Sequence, residues 1–369
     1  MKGTAMIERI YSRLVRHIDS FLMTCLLLAL TLGLFVLYSA AGENPSRIYG
    51  QLTNIGVALV IMWLMSNIPP QHLERIALPL YLLGIILLLG VALFGEITNG
   101  ARRWLDLGIV RIQPSELMKI GVPMMLAWYF ARREESLRLT DYIIAGVILA
   151  IPAAFILNQP DLGTTLLIIG SGVFVIYLAG FSWKLILAIL GGLAALAPIL
   201  WTMLHDYQRR RILTLIDPHQ DPLGAGYHTI QSSIAIGSGG LAGKGWLNGT
   251  QSQLDFIPER TTDFIVAVFA EEFGLLGNLL LLLLYTLIIG RGLVIAARAQ
   301  NTFCRLLAGS ISLTFFTYVF VNIGMVSGIL PVVGVPLPLI SYGGTSLVTL
   351  LLGFGILMSI HTHKKLMAT

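Results

Sequence analysis

The stretch SFLMTCLLLALTLGLFVLYSAA, Ser20–Ala41, contains no charged residue. At helical rise it is long enough to cross a hydrocarbon core of about 30 Å. A secretory signal has a shorter apolar core that leads into a small-residue cleavage site. Here a polar tail, 1–19, with Lys2, Arg9, Arg13 and Arg16 precedes the run, so it reads as an uncleaved first membrane span. Nine further apolar windows follow, near 49–68, 76–95, 115–131, 141–158, 163–180, 183–203, 263–290, 303–328 and 344–360.

Composition agrees with that reading. The 369 residues are 56% hydrophobic and 12% charged, with mean hydropathy +0.82. Water cannot solvate so much apolar surface, which excludes a soluble enzyme, a disordered tail and a nucleic-acid binder. The expected fold class is an all-α polytopic membrane protein with ten transmembrane helices in one integral domain, 1–369. No repeat of 30–50 residues and no inverted symmetry between halves points to a common transporter architecture. Cys25 and Cys304 lie near one predicted membrane face and read as buried or interfacial thiols, not as a disulfide or metal site.

Positive charge orients the spans. With the N-terminal tail inside, fourteen Lys and Arg fall in inner segments, against four in short outer loops: Arg47, Arg102, Arg103 and Arg111. This bias places both termini in the cytoplasm. The one large periplasmic loop, about 204–262 between spans seven and eight, holds Arg209, Arg210, Arg211, Lys244 and Arg260, and is discounted because long loops cross largely regardless of charge. It is rich in turn residues, including Asp217-Pro218, Asp221-Pro-Leu-Gly224 and the run Gly237-Ser-Gly-Gly-Leu-Ala-Gly-Lys-Gly245. That run is not a nucleotide loop, since no Ser or Thr follows Lys244 and no strand precedes it; it reads as a flexible hinge. Tyr227–Ile236 has the apolar spacing of a short interfacial helix.

Candidate chemistry gathers at the outer face. Arg102 and Arg103 lie where positive charge is disfavoured, which suits either an anionic partner or headgroup anchoring. Pro114 and Glu116 suit the first turn of the fourth span. Lys119 lies one turn deeper on the same face, where an ionised group costs about 2.5–3.5 kcal/mol at bilayer centre. The two either neutralise each other or hold a cation ready for a phosphate. Asp161 either caps the sixth span or serves the same outer cluster. Asp263 opens the eighth span as a cap or as a functional acid. Glu271 lies eight residues on, about 12 Å deeper, so acid is expected to extend well into the membrane, with Lys119 and the outer arginines as available partners. A carboxylate beside cations suits a general base acting on an alcohol while cations stabilise a departing diphosphate, as in glycosyl transfer from a polyprenyl-linked donor.

Several strings in order carry a specific resemblance: Gly100-Ala-Arg-Arg-Trp-Leu-Asp-Leu-Gly108, Gln113-Pro-Ser-Glu116, Gln159-Pro-Asp-Leu-Gly163, Asp221-Pro-Leu-Gly-Ala-Gly-Tyr227, Glu259-Arg-Thr-Thr-Asp-Phe264, Gly328-Ile-Leu-Pro-Val-Val-Gly-Val-Pro336 and Ser341-Tyr-Gly-Gly344. Through them the chain resembles the shape, elongation, division and sporulation (SEDS) family. The resemblance implies a peptidoglycan glycosyltransferase that polymerises lipid II during cell elongation. It would work with a class B penicillin-binding protein and other elongation-machinery membrane proteins, and with no nucleic acid. It further implies Asp263 as the catalytic residue, with Arg103, Glu116, Lys119 and Asp161 binding substrate. A divalent cation, Mg or Mn, is compatible with that set; no organic cofactor is expected. A lipid II flippase, a division-type polymerase and an inert scaffold are the competing readings.

Overall fold

The computed structural model describes residues 16–98, 101–106, 108, 111–133, 137–204, 206–218 and 225–363. The tail before residue 16, the Asp221–Gly224 turn, Lys364 and Lys365 lie outside the described residues. The apolar windows are helices: α1 Ser20–Ala40, α2 Pro45–Ser66, α3 Pro70–Phe94, α4 Pro114–Ala131, α5 Leu139–Leu157 and α6 Leu162–Leu178. After α7 Trp183–Ala195 and α8 Ala197–Met203 come three further helices, α9 Asp206–Ile216, α10 Ala225–Ser238 and α11 Thr250–Gln253. The chain ends with α12 Ile265–Ala297, α13 Thr302–Val326 and α14 Thr345–Thr362. Seven of these, α1–α3, α5 and α12–α14, are long and apolar enough to cross a membrane. The helix α6 is apolar but shorter, and the 183–203 window is two helices meeting at Leu196.

Helix ends follow local chemistry. Asp19 accepts from Leu22 N at 2.8 Å to cap α1, and Asn44 caps α2 ahead of Pro45. Pro114 opens α4 as its position in the sequence predicts. Cys25 and Cys304 are free and buried. Most of α4 and α13 is buried; α13 packs against α12, α6 and α4, and α14 lies along α2. Outward faces of α3 and α5 carry Leu83, Ile86, Ile143 and Val147, apolar side chains that only lipid can accommodate.

Two findings correct the all-helical expectation. First, the loop between α3 and α4 is a three-stranded antiparallel sheet, β1 Glu96–Thr98, β2 Ala101–Asp106 and β3 Arg111–Ile112, in order β1-β2-β3. Strands this short are not visible in hydropathy.

Second, α12 is broken at Gly274, where φ is 62° and ψ −162°. A continuous helix would bond Leu275 N to Glu271 O and Leu276 N to Glu272 O. Instead Glu271 O accepts from Lys244 N and Glu272 O from Gly245 N, both at 3.0 Å. Leu275 N and Leu276 N donate to Gly240 O and Leu241 O at 3.0 and 3.1 Å. The Gly-rich run is therefore no hinge. It is a strap that replaces the missing helix bonds, as buried backbone at a membrane boundary requires. A methyl group on Gly243 would lie 2.1 Å from Glu272 O, and one on Gly274 would lie 2.3 Å from Gly243 N.

The break also corrects the depth and partners of Glu271. Past Gly274, roughly 23 residues of α12, ~34 Å at helical rise, remain to cross the bilayer. At one end Arg291 pairs with Asp19 at the start of α1; at the other Glu272 accepts from Ser39, the penultimate residue of α1. Glu271 and Glu272 thus lie at the bundle end, not mid-membrane. The Glu271 cation is Lys244, at 2.7 Å, and its carboxylate also takes Thr250 Oγ1 at 3.1 Å and Gln251 N at 3.0 Å.

Gly243→Ala should destabilise the fold by at least the roughly 1–3 kcal/mol of a misfit left-handed position, read as a lower melting temperature in detergent, because it adds a backbone clash. Gly237→Ala, with nothing within 4 Å of the added methyl group, should leave it unchanged.

Candidate functional site

Three segments at one end of the bundle bring the sequence-predicted residues together. In β2, Trp104 pairs with Glu96 and Arg102 with Ile97, so Arg103 is the extra residue of a bulge. A bulge re-aims a side chain. Arg103 Nη2 donates to Pro160 O at 2.7 Å and Nε to Gln159 O at 3.4 Å, while Nη1 lies 3.7 Å from Asp161 Oδ2. The sheet is thereby clamped onto the α5–α6 turn. Asp161 also caps α6, its Oδ1 accepting from Thr164 N at 3.1 Å, so both readings of that residue hold in the geometry.

On α4, Lys119 Nζ donates to Glu116 Oε1 at 2.7 Å, and their side chains are only 6% and 13% exposed. The ammonium also lies 5.2 Å from the Tyr318 ring centroid, which adds a cation–π attraction. A cavity of about 150 Å³ is lined by Arg103, Glu116, Lys119 and Asp161, with Gln113, Tyr318, Gly334 and Ser346 completing its wall. Around it, Glu116 Oε2, Gln159 Nε2 and Asn322 Oδ1 are buried and have no hydrogen-bond partner among the described residues. Buried polar atoms are rarely left so, and a cluster of them suits a polar ligand.

A larger groove of about 560 Å³ joins this cavity at Gln113 and Glu116. Its walls are mostly apolar residues of α2, α3, α4 and α14, among them Val57, Leu80, Leu117 and Val348. A polar chamber at the end of an apolar groove suits an amphipathic molecule with a charged head.

Asp263 sits at the chamber's edge. It does not cap α12, whose first helical residue is Ile265 and whose cap position is Phe264 with no side-chain bond. Its carbonyl accepts from Asn322 Nδ2 at 2.9 Å, and the same amide donates to Val335 O at 2.7 Å. Ser341 Oγ donates to Thr262 O at 2.6 Å, and Tyr342 N to Thr261 O at 2.9 Å. These bonds lock the approach to α12 against the irregular 327–344 segment. The Asp263 carboxylate lies against Gly334, where a methyl group would be 3.4 Å from Oδ2. Burial pushes the Asp263 carboxyl up to about 6; Glu259 adds to the shift and Arg211 opposes it. An acid so tuned is substantially ionised near neutrality and retains affinity for a proton.

Sequence reasoning found the four chamber residues and Asp263, but not Arg211, Glu259, His228, Tyr318 or Asn322. The first three surround Asp263 electrostatically or through Phe264, whose ring stacks on His228 at 5.3 Å between centroids. Arg211 was visible only as one of three consecutive outer-loop arginines. For a metal, the described residues include no group of three acids or histidines. Each chamber carboxylate is already paired with a cation, which leaves Glu116 Oε2 as the free carboxylate oxygen among the described lining residues.

Comparison with known proteins adds an independent line. The peptidoglycan glycosyltransferase MrdB of Escherichia coli K12 is 56% identical over 353 residues, 95% of each chain. Among solved structures, a chain from a peptidoglycan synthase complex that coordinates polymerization and crosslinking superposes with a TM-score of 0.81 at 32% identity, covering 94% of this chain and 99% of that one. The rod shape determining protein RodA of Thermus thermophilus gives 0.71 at 30%, covering 93% and 96%. The profile of the FtsW, RodA and SpoVE family matches residues 19–366. The chain belongs to this family of cell cycle proteins, the one its motifs resemble.

Proposed function

We propose that this protein is a peptidoglycan glycosyltransferase that polymerises lipid II into β-1,4 glycan strands during elongation of rod-shaped cells. The observation that carries the reading is the chamber itself: two cations and two carboxylates from three outer segments converge at the head of an apolar groove, with a buried acid at the edge. The groove takes the undecaprenyl chain and the chamber takes the diphosphate, held by Arg103 and Lys119. Glu116 and Asp161 orient those cations. Asp263 removes the proton from the acceptor GlcNAc 4-hydroxyl, and that oxygen attacks the anomeric carbon of the donor MurNAc. The bond to undecaprenyl diphosphate breaks, the diphosphate leaves with the electron pair, and the configuration inverts. A magnesium or manganese ion carried on the diphosphate fits only through Glu116 Oε2 and substrate oxygens, where it would add to charge neutralisation.

The membrane arrangement proposed has ten spans: the seven long helices, α4, α6 and the α7–α8 pair. Both termini are cytoplasmic, and 204–262 forms the periplasmic loop. The basic inner segments support this orientation. A class B penicillin-binding protein is the proposed crosslinking partner, by analogy with the synthase complex. A flippase needs a polar path to both faces. The chamber's polar groups lie at one end of the bundle, and the ionic groups Asp19, Arg291 and His361 at the other pair with one another.

Three outcomes test the reading. With labelled lipid II and the partner present, purified Asp263→Asn should lose about 10²–10⁴-fold in polymer formation without change in melting temperature. Normal yield would remove Asp263 from the role. Lys119→Met should lose both activity and stability, the latter by about 3–5 kcal/mol, because it strands a buried carboxylate. Adding Glu116→Gln should restore the melting temperature but not the polymer. The acid limb of the pH–rate profile should fall near 6. Arg211→Gln should move it to higher pH, because the cation that favours ionised Asp263 is gone, and Glu259→Gln should move it lower.

A further inference from the structure

A transferase that joins two sugars must hold both, and the chamber with its groove accounts for one lipid-linked partner. On the loop side of Asp263 lies a second cavity of about 180 Å³, lined by Arg211, Thr214 and Leu215 of α9, His228 and Thr229 of α10, and Leu330–Val332. It shares no lining residue with the chamber. We infer that this cavity is the acceptor-sugar subsite, taking one uncharged N-acetylated pyranose so that its free hydroxyl meets Asp263. The inference rests on the glycosyl-transfer reading above.

Four observations point there. The cavity's residues flank Asp263 through space and through contact: Arg211 is the cation that acts on the carboxylate, and His228 stacks on Phe264, the next residue. His228 Nδ1 is buried with no hydrogen-bond partner among the described residues, an arrangement that a ligand hydroxyl or amide would satisfy. Burial holds that imidazole below its usual pKa, with Glu259 opposing, so the ring is neutral and suited to a neutral polar group. The wall mixes two threonine hydroxyls with Leu215, Leu330 and Pro331, the combination that binds the polar edge and apolar face of a pyranose.

The chemistry separates the two sites. The chamber has Arg103, Lys119 and an apolar groove for a prenyl diphosphate; the second cavity has one arginine and no such groove. Its volume has room for a single sugar ring and not for a disaccharide with its lipid. The acceptor hydroxyl would then reach Asp263 from the loop side and attack the donor anomeric carbon on the face opposite its diphosphate, as in-line displacement requires.

The test is direct binding to the detergent-purified full chain, which needs no turnover. The probes are GlcNAc-β-1,4-MurNAc lacking lipid and diphosphate, and inorganic pyrophosphate. Thr214→Trp, which fills the cavity, and His228→Leu, which removes its buried polar group, should each weaken disaccharide binding at least tenfold and leave pyrophosphate binding unchanged. Should the tryptophan lower the melting temperature, His228→Leu carries the test alone. Disaccharide affinity unchanged in folded variants, no disaccharide binding by the wild type, or loss of pyrophosphate binding instead would each overturn the assignment. Wild-type disaccharide binding without polymerisation would leave the site standing and sink the transfer reading. Normal polymerisation with unaltered binding in the variants would do the reverse.

Discussion

Four backbone hydrogen bonds around Gly274 hold the outer end of this molecule in its working shape. Breaking a helix near a membrane boundary exposes carbonyl and amide groups that hydrocarbon cannot satisfy, so a broken span persists only where other protein replaces the lost bonds. The strap at residues 240–245 does that residue for residue, donating to Glu271 and Glu272 and accepting from Leu275 and Leu276. Lys244 and the start of α11 then neutralise the Glu271 side chain. The short outer section of α12 is thereby free to leave the axis of the span below it, and Asp263 at its head reaches the chamber wall at Gly334.

The remaining supports converge on the same place. Asn322 joins the Asp263 carbonyl to that of Val335, and Ser341 and Tyr342 bond back to Thr262 and Thr261. Within the irregular 327–344 segment, 334–336 line the polar cavity and 337–341 are buried, the settings in which non-helical backbone is tolerated. From the other side, the bulge in β2 turns Arg103 onto the α5–α6 turn. A chamber built from spans, sheet and strap in this way holds its charges in fixed positions before substrate arrives, and preorganised charge is what stabilises a developing diphosphate.

Much of this was legible in the sequence, and the reasons it was or was not are physical. Glu116 and Lys119 are one turn apart on a helix, so their pairing follows from spacing alone. Arg103 and Asp161 stood out because their charges or caps lay in short outer turns. The helical class and the buried thiols followed from hydropathy. The break at Gly274 did not: a lone glycine in an otherwise helical run does not announce one, and what permits it is a pairing with residues some thirty positions earlier. The same non-local contact gave Glu271 a partner, Lys244, that no helical periodicity could suggest, and turned an apparent hinge into a brace. Arg211 and His228 were hidden because the spacing within a long loop, even the helical spacing at Tyr227–Ile236, does not say which of its polar residues return to the bundle.

A structure of Asp263→Asn bound to a lipid-linked disaccharide diphosphate is the most direct measurement. The account predicts the diphosphate between Arg103 and Lys119, the prenyl chain along the groove between α2, α3, α4 and α14, and the anomeric carbon facing the substituted side chain. A diphosphate held elsewhere, or a sugar turned away from position 263, would contradict it.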